Sequence, residues 1–346
     1  MKKTKLLLIS LLSIFSAVQA QEKTSPKFSG VAFGDYFYNI EQRDSTKNDL
    51  NGFQFRRVYF TADFVISEKF DSRFRLEADQ GPASLTSGGR IGVMVKDAYL
   101  RWKNLFNGSD LIFGLSPTPA FDVTEAAWGY RAIEKTTMDF FGLVATRDLG
   151  IDLKGNLNGQ GSIRYWLKIG NNSINGPELN KYKRFYGLLH FIPLNNFQFT
   201  LYGDYASAPK KLDASDKTFK TNAAFTGSVM LNYFEKDRYS VGLESFFKSQ
   251  QNNFSPRPAS TLEAQNGYGI SVFGWAAVND LLRIVARFDT FEPNKDKDND
   301  QSSLLIGALD FRVDKNVSIM PNIEMVKYQG ISPKDLVGRV TFYFQF

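Results

Sequence analysis

The chain has 346 residues, with 42 Lys and Arg against 36 Asp and Glu for a formal charge of +6, and it contains no cysteine. Disulfide frameworks and thiolate metal sites are therefore excluded. Lys2, Lys3 and Lys5 account for three of the six excess charges, 6 − 3 leaving +3, and no basic cluster points to nucleic acid.

Those lysines open a short basic segment, followed by an apolar run from Leu6 to Val18 and then by Val18-Gln19-Ala20. This order predicts a signal peptide over residues 1–20, cut after Ala20. The apolar run is too short for a membrane-spanning helix. The absence of cysteine near the cut argues against a lipid anchor, and its absence throughout fits an exported protein of the Gram-negative outer membrane. Residues 21–346 read as a single domain.

Beyond residue 21 the dominant pattern has a period of two. Phe70 to Asp79 alternates apolar or small residues with Asp71, Arg73, Arg75, Glu77 and Asp79. A strand sends successive side chains to opposite faces, so one face carries five charges. A water-filled lumen accounts for such a face better than a packed soluble core does. Residues 54–66 repeat the scheme, with Val58, Phe60, Ala62 and Phe64 on one side and Arg57, Tyr59, Thr61 and Asp63 on the other. Continued along the chain, the alternation predicts strands near 28–38, 53–66, 69–80, 91–103, 109–116, 146–155, 161–170, 183–192, 197–206, 221–234, 238–249, 267–278, 281–291, 303–313, 316–327 and 336–346. Short turns alternate with longer polar loops, at 39–52, 81–90, 117–145, 171–182, 207–220, 250–266, 292–302 and 328–335. Short periplasmic turns and long extracellular loops are the rhythm of a transmembrane antiparallel β-barrel, and about sixteen strands is an even number as such barrels require. Helical periodicity is nowhere sustained.

The last strand ends on Phe342, Phe344 and Phe346, all on its apolar face. Pairing with the strand near 28–38 would remove the open edges. This terminus is also the expected recognition signal for the outer-membrane assembly machinery.

A barrel of sixteen strands is too wide for side chains to fill and leaves an aqueous channel. Parity sends Arg57, Arg73, Arg75, Arg101, Lys103, Arg283, Arg287 and Arg339 to the lumen, among other cations, against a nearly equal set of carboxylates. Charge rings of one sign make a pore selective; a balanced wall with a slight basic excess predicts weak anion preference. Arg57, Arg73, Arg75 and Arg101 lie on adjacent early strands and form a candidate anion track, with an ion-pair network as the competing role. The longest loop, 117–145, is too rich in aromatics to float in water. It is expected to fold into the barrel mouth and present Arg131, Glu134 and Asp139 to solutes; capping the outside or a trimer contact is the alternative.

Phe74-Arg75-Leu76-Glu77-Ala78-Asp79, Asp97-Ala98-Tyr99-Leu100, the 114–142 loop with Glu125, Arg131 and Glu134, and Thr146-Arg147-Asp148-Leu149-Gly150-Ile151 resemble the phosphate-selective porins of the O and P type. The resemblance is densest over residues 53–155. It implies a sixteen-stranded trimeric channel with an inward-folded third loop, and an arginine ladder leading phosphate past a lysine cluster. Here the loop carries acids beside one Arg and one Lys, Arg131 and Lys135.

Other chemistries have little support. His190 is the only histidine, a poor basis for a metal site or a catalytic triad. Asn294 to Asp300 alternates carboxylates as calcium loops do but lacks the glycine and glutamate of an EF-hand, leaving a solvated loop, with divalent-ion or lipopolysaccharide bridging as the lesser option. The sequence therefore predicts a channel, not an enzyme, with no cofactor and no metal. It would pass small hydrophilic solutes by diffusion, anions such as phosphate included. Its expected partners are outer-membrane lipid and lipopolysaccharide and two further copies of itself. The competing readings are an adhesion or structural barrel acting through its external loops and, less favoured, a barrel enzyme.

Overall fold

The computed structural model describes residues 25–81, 85–257 and 260–346; the signal peptide expected over 1–20 lies outside them. The strands are β1 (Lys27–Glu41), β2 (Asn51–Val65), β3 (Phe70–Asp79), β4 (Gly92–Phe106), β5 (Ser109–Pro117), β6 (Arg147–Asn156), β7 (Ile163–Gly170), β8 (Arg184–Leu194) and β9 (Phe197–Ala206). A small hairpin follows, β10 (Lys211–Asp213) and β11 (Thr218–Lys220). The series continues with β12 (Ala224–Glu235), β13 (Tyr239–Phe254), β14 (Glu263–Asn279), β15 (Leu282–Glu292), β16 (Ser302–Asp314), β17 (Val317–Tyr328) and β18 (Ile331–Gln345). All but β10 and β11 join one closed antiparallel barrel of sixteen strands, in which β12 follows β9 and β18 pairs with β1.

Closure leaves no open edge among the sixteen barrel strands, which is the condition for crossing a bilayer with strands. The β1–β18 ladder runs from Val31↔Gln345 to Asn39↔Val337 before an irregularity near Glu41. It is sealed at its end by the terminal residue: Gly30 and Phe346 exchange both backbone hydrogen bonds, at 2.9 and 3.0 Å. The Phe346 ring lies over Gly30, where a Cβ would collide with it. Outward positions are apolar and exposed, as Val58, Phe60, Leu100, Phe113, Leu305 and Val340 show. Outward aromatics pair across strands, Phe28 with Phe60 and Tyr36 with Phe53.

Several strands run past the band that alternation marks. β13 reaches Phe254 and β14 begins at Glu263, inside the loop expected at 250–266. Polar side chains carry that extension, Asn253 Nδ2 donating to Gln265 Oε1 at 2.7 Å. β18 likewise starts at Ile331, within the loop expected at 328–335.

Two bulges change what faces inward. In the β1–β2 ladder Phe33 pairs with Arg57 and Gly34 with Phe55, so Arg56 is the extra residue. Phe55 and Val58 are exposed outside, which places both Arg56 and Arg57 on the lumen side. In the β3–β4 ladder Arg75 pairs with Asp97 and Leu76 with Val95, leaving Lys96 extra. Lys96 and Asp97 then share the inner face. Each bulge adds one inward side chain without shifting the outward pattern beyond it.

Between β5 and β6 the chain forms α1 (Asp122–Trp128) and α2 (Thr137–Phe140). Helices of seven and four residues are too short to leave a periodicity in the sequence. α1 ends at Gly129, which adopts φ 73° as a left-handed cap and donates to the Glu125 carbonyl.

Candidate functional site

The 117–145 segment leaves and re-enters the wall through a closed neck, where Thr118 Oγ1 donates to the Ala145 carbonyl at 2.7 Å. From there it packs against inner-face residues on two sides. Ala120, Phe121, Met138, Leu143 and Val144 cluster with Trp166, Tyr186, Leu188, Tyr202, Phe246 and Phe291. Ala127, Trp128, Tyr130, Ala132 and Ile133 cluster with Met230, Phe273, Val285, Leu304, Ile306 and Met320. Trp128 is 1% exposed and meets Phe273 edge to face. The apolar residues that made a solvated loop implausible are therefore covered by inward apolar residues of β7–β9 and β12–β17.

Polar ties complete the attachment. Arg56 Nη2 donates to Glu134 Oε2 at 2.8 Å, and its Nη1 donates to the carbonyls of Ala132 and Ile133. The Arg287 guanidinium donates to the Lys135 carbonyl and is held by Asp289. Tyr130 Oη donates to Asp310 at 3.1 Å, and Trp128 Nε1 donates to the Glu134 carbonyl at 2.9 Å.

The wall of β2–β6 carries the densest charge. Arg57 pairs with Asp79 at 3.0 Å and also with Glu77, whose carboxylate lies 2.7 Å from Lys96 Nζ. Arg75 and Arg147 share Asp97. Four cations thus face three carboxylates, Glu77, Asp79 and Asp97. Nearer the turns, Arg73 grips Asp63 through two bonds of 2.7 and 2.9 Å, and Arg101 pairs with Asp71. On the loop, Arg131 lies 3.3 Å from both Glu125 and Asp139. A cavity of about 410 Å³ is lined by Tyr59, Arg75, Arg131, Arg283 and Tyr343 among others. In water a unit charge acts on another at 4 Å with about 1 kcal/mol, so an excess of one cation gives this wall only a modest positive bias.

The sequence candidates divide into distinct environments. Arg57, Arg73, Arg75 and Arg101 are part-buried on the inner wall, each with a carboxylate partner. Arg131 and Asp139 sit together on the loop. Glu134, expected to face solutes, is 6% exposed and tied to Arg56, and Arg287 is 2% exposed beneath the loop. Both are anchors: Glu134 turns from the loop to Arg56 on the wall, and Arg287, expected to line the lumen, lies under the loop with its guanidinium on the Lys135 carbonyl. Arg339 bridges Glu324 and Asp35, Arg283 lies over the Trp275 ring and 3.6 Å from Asp237, and Lys103 makes no ion pair among the described residues. Sequence reasoning missed Arg56, Lys96 and Arg147. The signal for the first two was the interrupted alternation: Arg56-Arg57 and Lys96-Asp97 place consecutive charges where a regular strand would send one into lipid.

His190 Nδ1 lies 3.0 Å from Thr200 Oγ1. No group of three or more metal-ligating side chains occurs among the described residues, and no described helix is long and apolar enough to cross a membrane.

Solved structures similar to this fold include the anion-selective porin from Comamonas acidovorans, with a TM-score of 0.68 and 11% identity over 93% of this chain and 99% of that one. The outer membrane channel DcaP of Acinetobacter baumannii matches with a TM-score of 0.67 and 12% identity, over 93% and 97% of the two chains. A trimer form of OmpT, an outer membrane protein of Vibrio cholerae, matches at 0.65 and 12%, over 93% and 99%. At such identities the likeness is one of fold. No protein-family model and no curated protein matches the chain, so the phosphate-selective family in particular has no such support.

Proposed function

We propose that this protein is an outer-membrane porin, a homotrimer whose barrels each pass small hydrophilic solutes down their gradients with a weak preference for anions. The observation that carries the reading is the 117–145 segment. It is anchored across the lumen by Arg56, Tyr130 and Arg287 and faces a wall whose cations exceed its carboxylates by one. Such a segment narrows the aqueous path without sealing the wall, and filtering is then steric and electrostatic. The fold's likeness to an anion-selective porin and to a trimeric outer membrane protein supports the same reading. Phosphate is one anion within this class, and inward arginines paired to carboxylates favour general over phosphate-specific passage.

The test is purified protein in planar lipid bilayers. Discrete conductance steps are expected, with a reversal potential in a salt gradient displaced toward anions; a silent bilayer overturns the proposal. Arg73→Ala combined with Arg75→Ala should move the reversal potential toward cation preference, because Asp63 and Asp97 each lose an arginine partner. An unmoved reversal potential would remove those two arginines from the solute path.

A further inference from the structure

A second chamber, of about 660 Å³, lies below α1, between that helix and the turn ends of β5–β9. Its lining differs in kind from the ion-paired wall of β2–β4. Lys154 and Arg164 both border it, and neither forms an ion pair among the described residues. Lys154 Nζ rests 4.4 Å from the centre of the Trp166 ring. Among the described residues Arg164 makes one side-chain hydrogen bond, from its Nε to the Gly161 carbonyl. Asp122 borders the same space from the loop side and also lacks an ion pair among the described residues. Asp110 borders the space too, but its carboxylate accepts from the Asn104 backbone N–H at 3.0 Å and lies 3.7 Å from Arg101. The inner wall elsewhere pairs most of its charges, so two cations and one carboxylate without ion pairs around one cavity form an unusual grouping. Val123 and Ala126 of α1 supply an apolar surface on the loop side, and His190, fixed through Nδ1 by Thr200, completes the floor.

A dianion would be drawn by Lys154 and Arg164 but repelled by Asp122, and a simple cation the reverse. A solute with a carboxylate at one end, an ammonium at the other and an apolar body satisfies all three groups at once. We infer that this chamber is a binding station for small zwitterions, namely free amino acids or short peptides with apolar side chains. Their carboxylate lies toward Lys154 and Arg164, their ammonium toward Asp122 and their side chain against Val123 and Ala126. The inference rests on the porin reading only in that the channel delivers the solute; the pocket itself binds whether or not current flows.

Equilibrium binding to the full chain in detergent is therefore measured by calorimetry alongside open-channel block in bilayers. The probes are L-phenylalanine, N-acetyl-L-phenylalanine, which lacks the ammonium, and L-phenylalaninamide, which lacks the carboxylate. Phenylalanine is expected to bind best. Lys154→Gln with Arg164→Gln should weaken it roughly tenfold or more, the worth of a lost charge-assisted contact. Asp122→Asn should weaken phenylalanine by a similar factor yet leave the N-acetyl form unchanged or improved. That opposite response separates a recognition role from a folding defect. Equal binding of all three probes, or wild-type affinity in both variants, overturns the inference. Binding without conductance would sink the porin reading and leave this site standing, and conductance without binding would do the opposite.

Discussion

Arg56→Met removes one of the two arginines that hold the loop to the wall. Arg56 has an 18% exposed side chain, donates to the Glu134 carboxylate at 2.8 Å and lies 3.9 Å from Asp35. Its loss strands a carboxylate that is 6% exposed. Removing one partner of a buried ion pair costs about 3–5 kcal/mol, mostly from the charge left behind. Arg339 belongs to the same cluster, 3.8 Å from Asp35 and 2.8 Å from Glu324. It offsets part of the loss, so the expected cost is near the lower bound, about 3 kcal/mol. The double variant Arg56→Met, Glu134→Gln removes the Glu134 charge together with its partner and leaves Asp35 and Glu324 with Arg339. The substituted amide oxygen can still accept from the Lys135 backbone N–H, as the Glu134 carboxylate does at 2.8 Å. The double variant should therefore recover to within about 1 kcal/mol of the parent. Urea unfolding of protein refolded into lipid vesicles, followed by tryptophan fluorescence, measures both. A single variant costing under about 1 kcal/mol would refute the reasoning. So would a double variant no more stable than the single one. Open-channel current noise should rise in the single variant, because one of the ties between wall and loop is gone while those of Arg287 and Tyr130 remain.

Two further outcomes follow from local geometry. Gly114 has φ +134°, and a Cβ there would lie 2.7 Å from Tyr99 Cα and closer still to the Ala98 carbonyl. Gly114→Val should therefore block β4–β5 pairing, read as loss of the folded, fast-migrating band on unheated gels; a normal band would show that the pairing can relax. At the β10–β11 hairpin, bonds from Lys220 and Thr218 lower the Asp216 carboxyl to about 2. A lowered folded value means the contribution is complete above the ordinary carboxylate range and lost as pH falls through about 2. The Thr218 amide resonance, which reports its 2.9 Å bond to Asp216, should titrate near that pH; a midpoint near the ordinary carboxylate value of about 4 would contradict the bond.

The barrel was legible in the sequence because a strand between lipid and water must alternate, and few positions can break the rule cheaply. Phe74, Leu76 and Ala78 against Arg73, Arg75 and Glu77 fix both the strand and its inward face. What alternation could not reveal depends on register between strands. Arg56 and Lys96 turn inward only because the ladders with β1 and β3 each skip a residue at those positions. Arg147 joins Asp97 from the first position of β6, across β5 in the barrel order, a meeting that no spacing within either strand encodes. The anchoring role of Glu134 was hidden for a related reason. Its partner comes from 78 residues away and from an arginine that regular parity would have placed in lipid.

The ties of the 117–145 segment also have a mechanical meaning. The segment enters at β5 and β6, and its grip on Arg56 of β2, on Arg287 of β15 and on Asp310 of β16 spans the cross-section of the cylinder. A hollow tube squeezed by its surroundings flattens most easily into an oval, and an internal brace resists that flattening along its own direction. Bilayer lateral pressure acting on this cylinder is borne partly by Trp128, Arg56 and Arg287, and any ovalisation that does occur changes the aperture beside them. The side chains that brace the cross-section are therefore the same ones that fix where the segment lies within it.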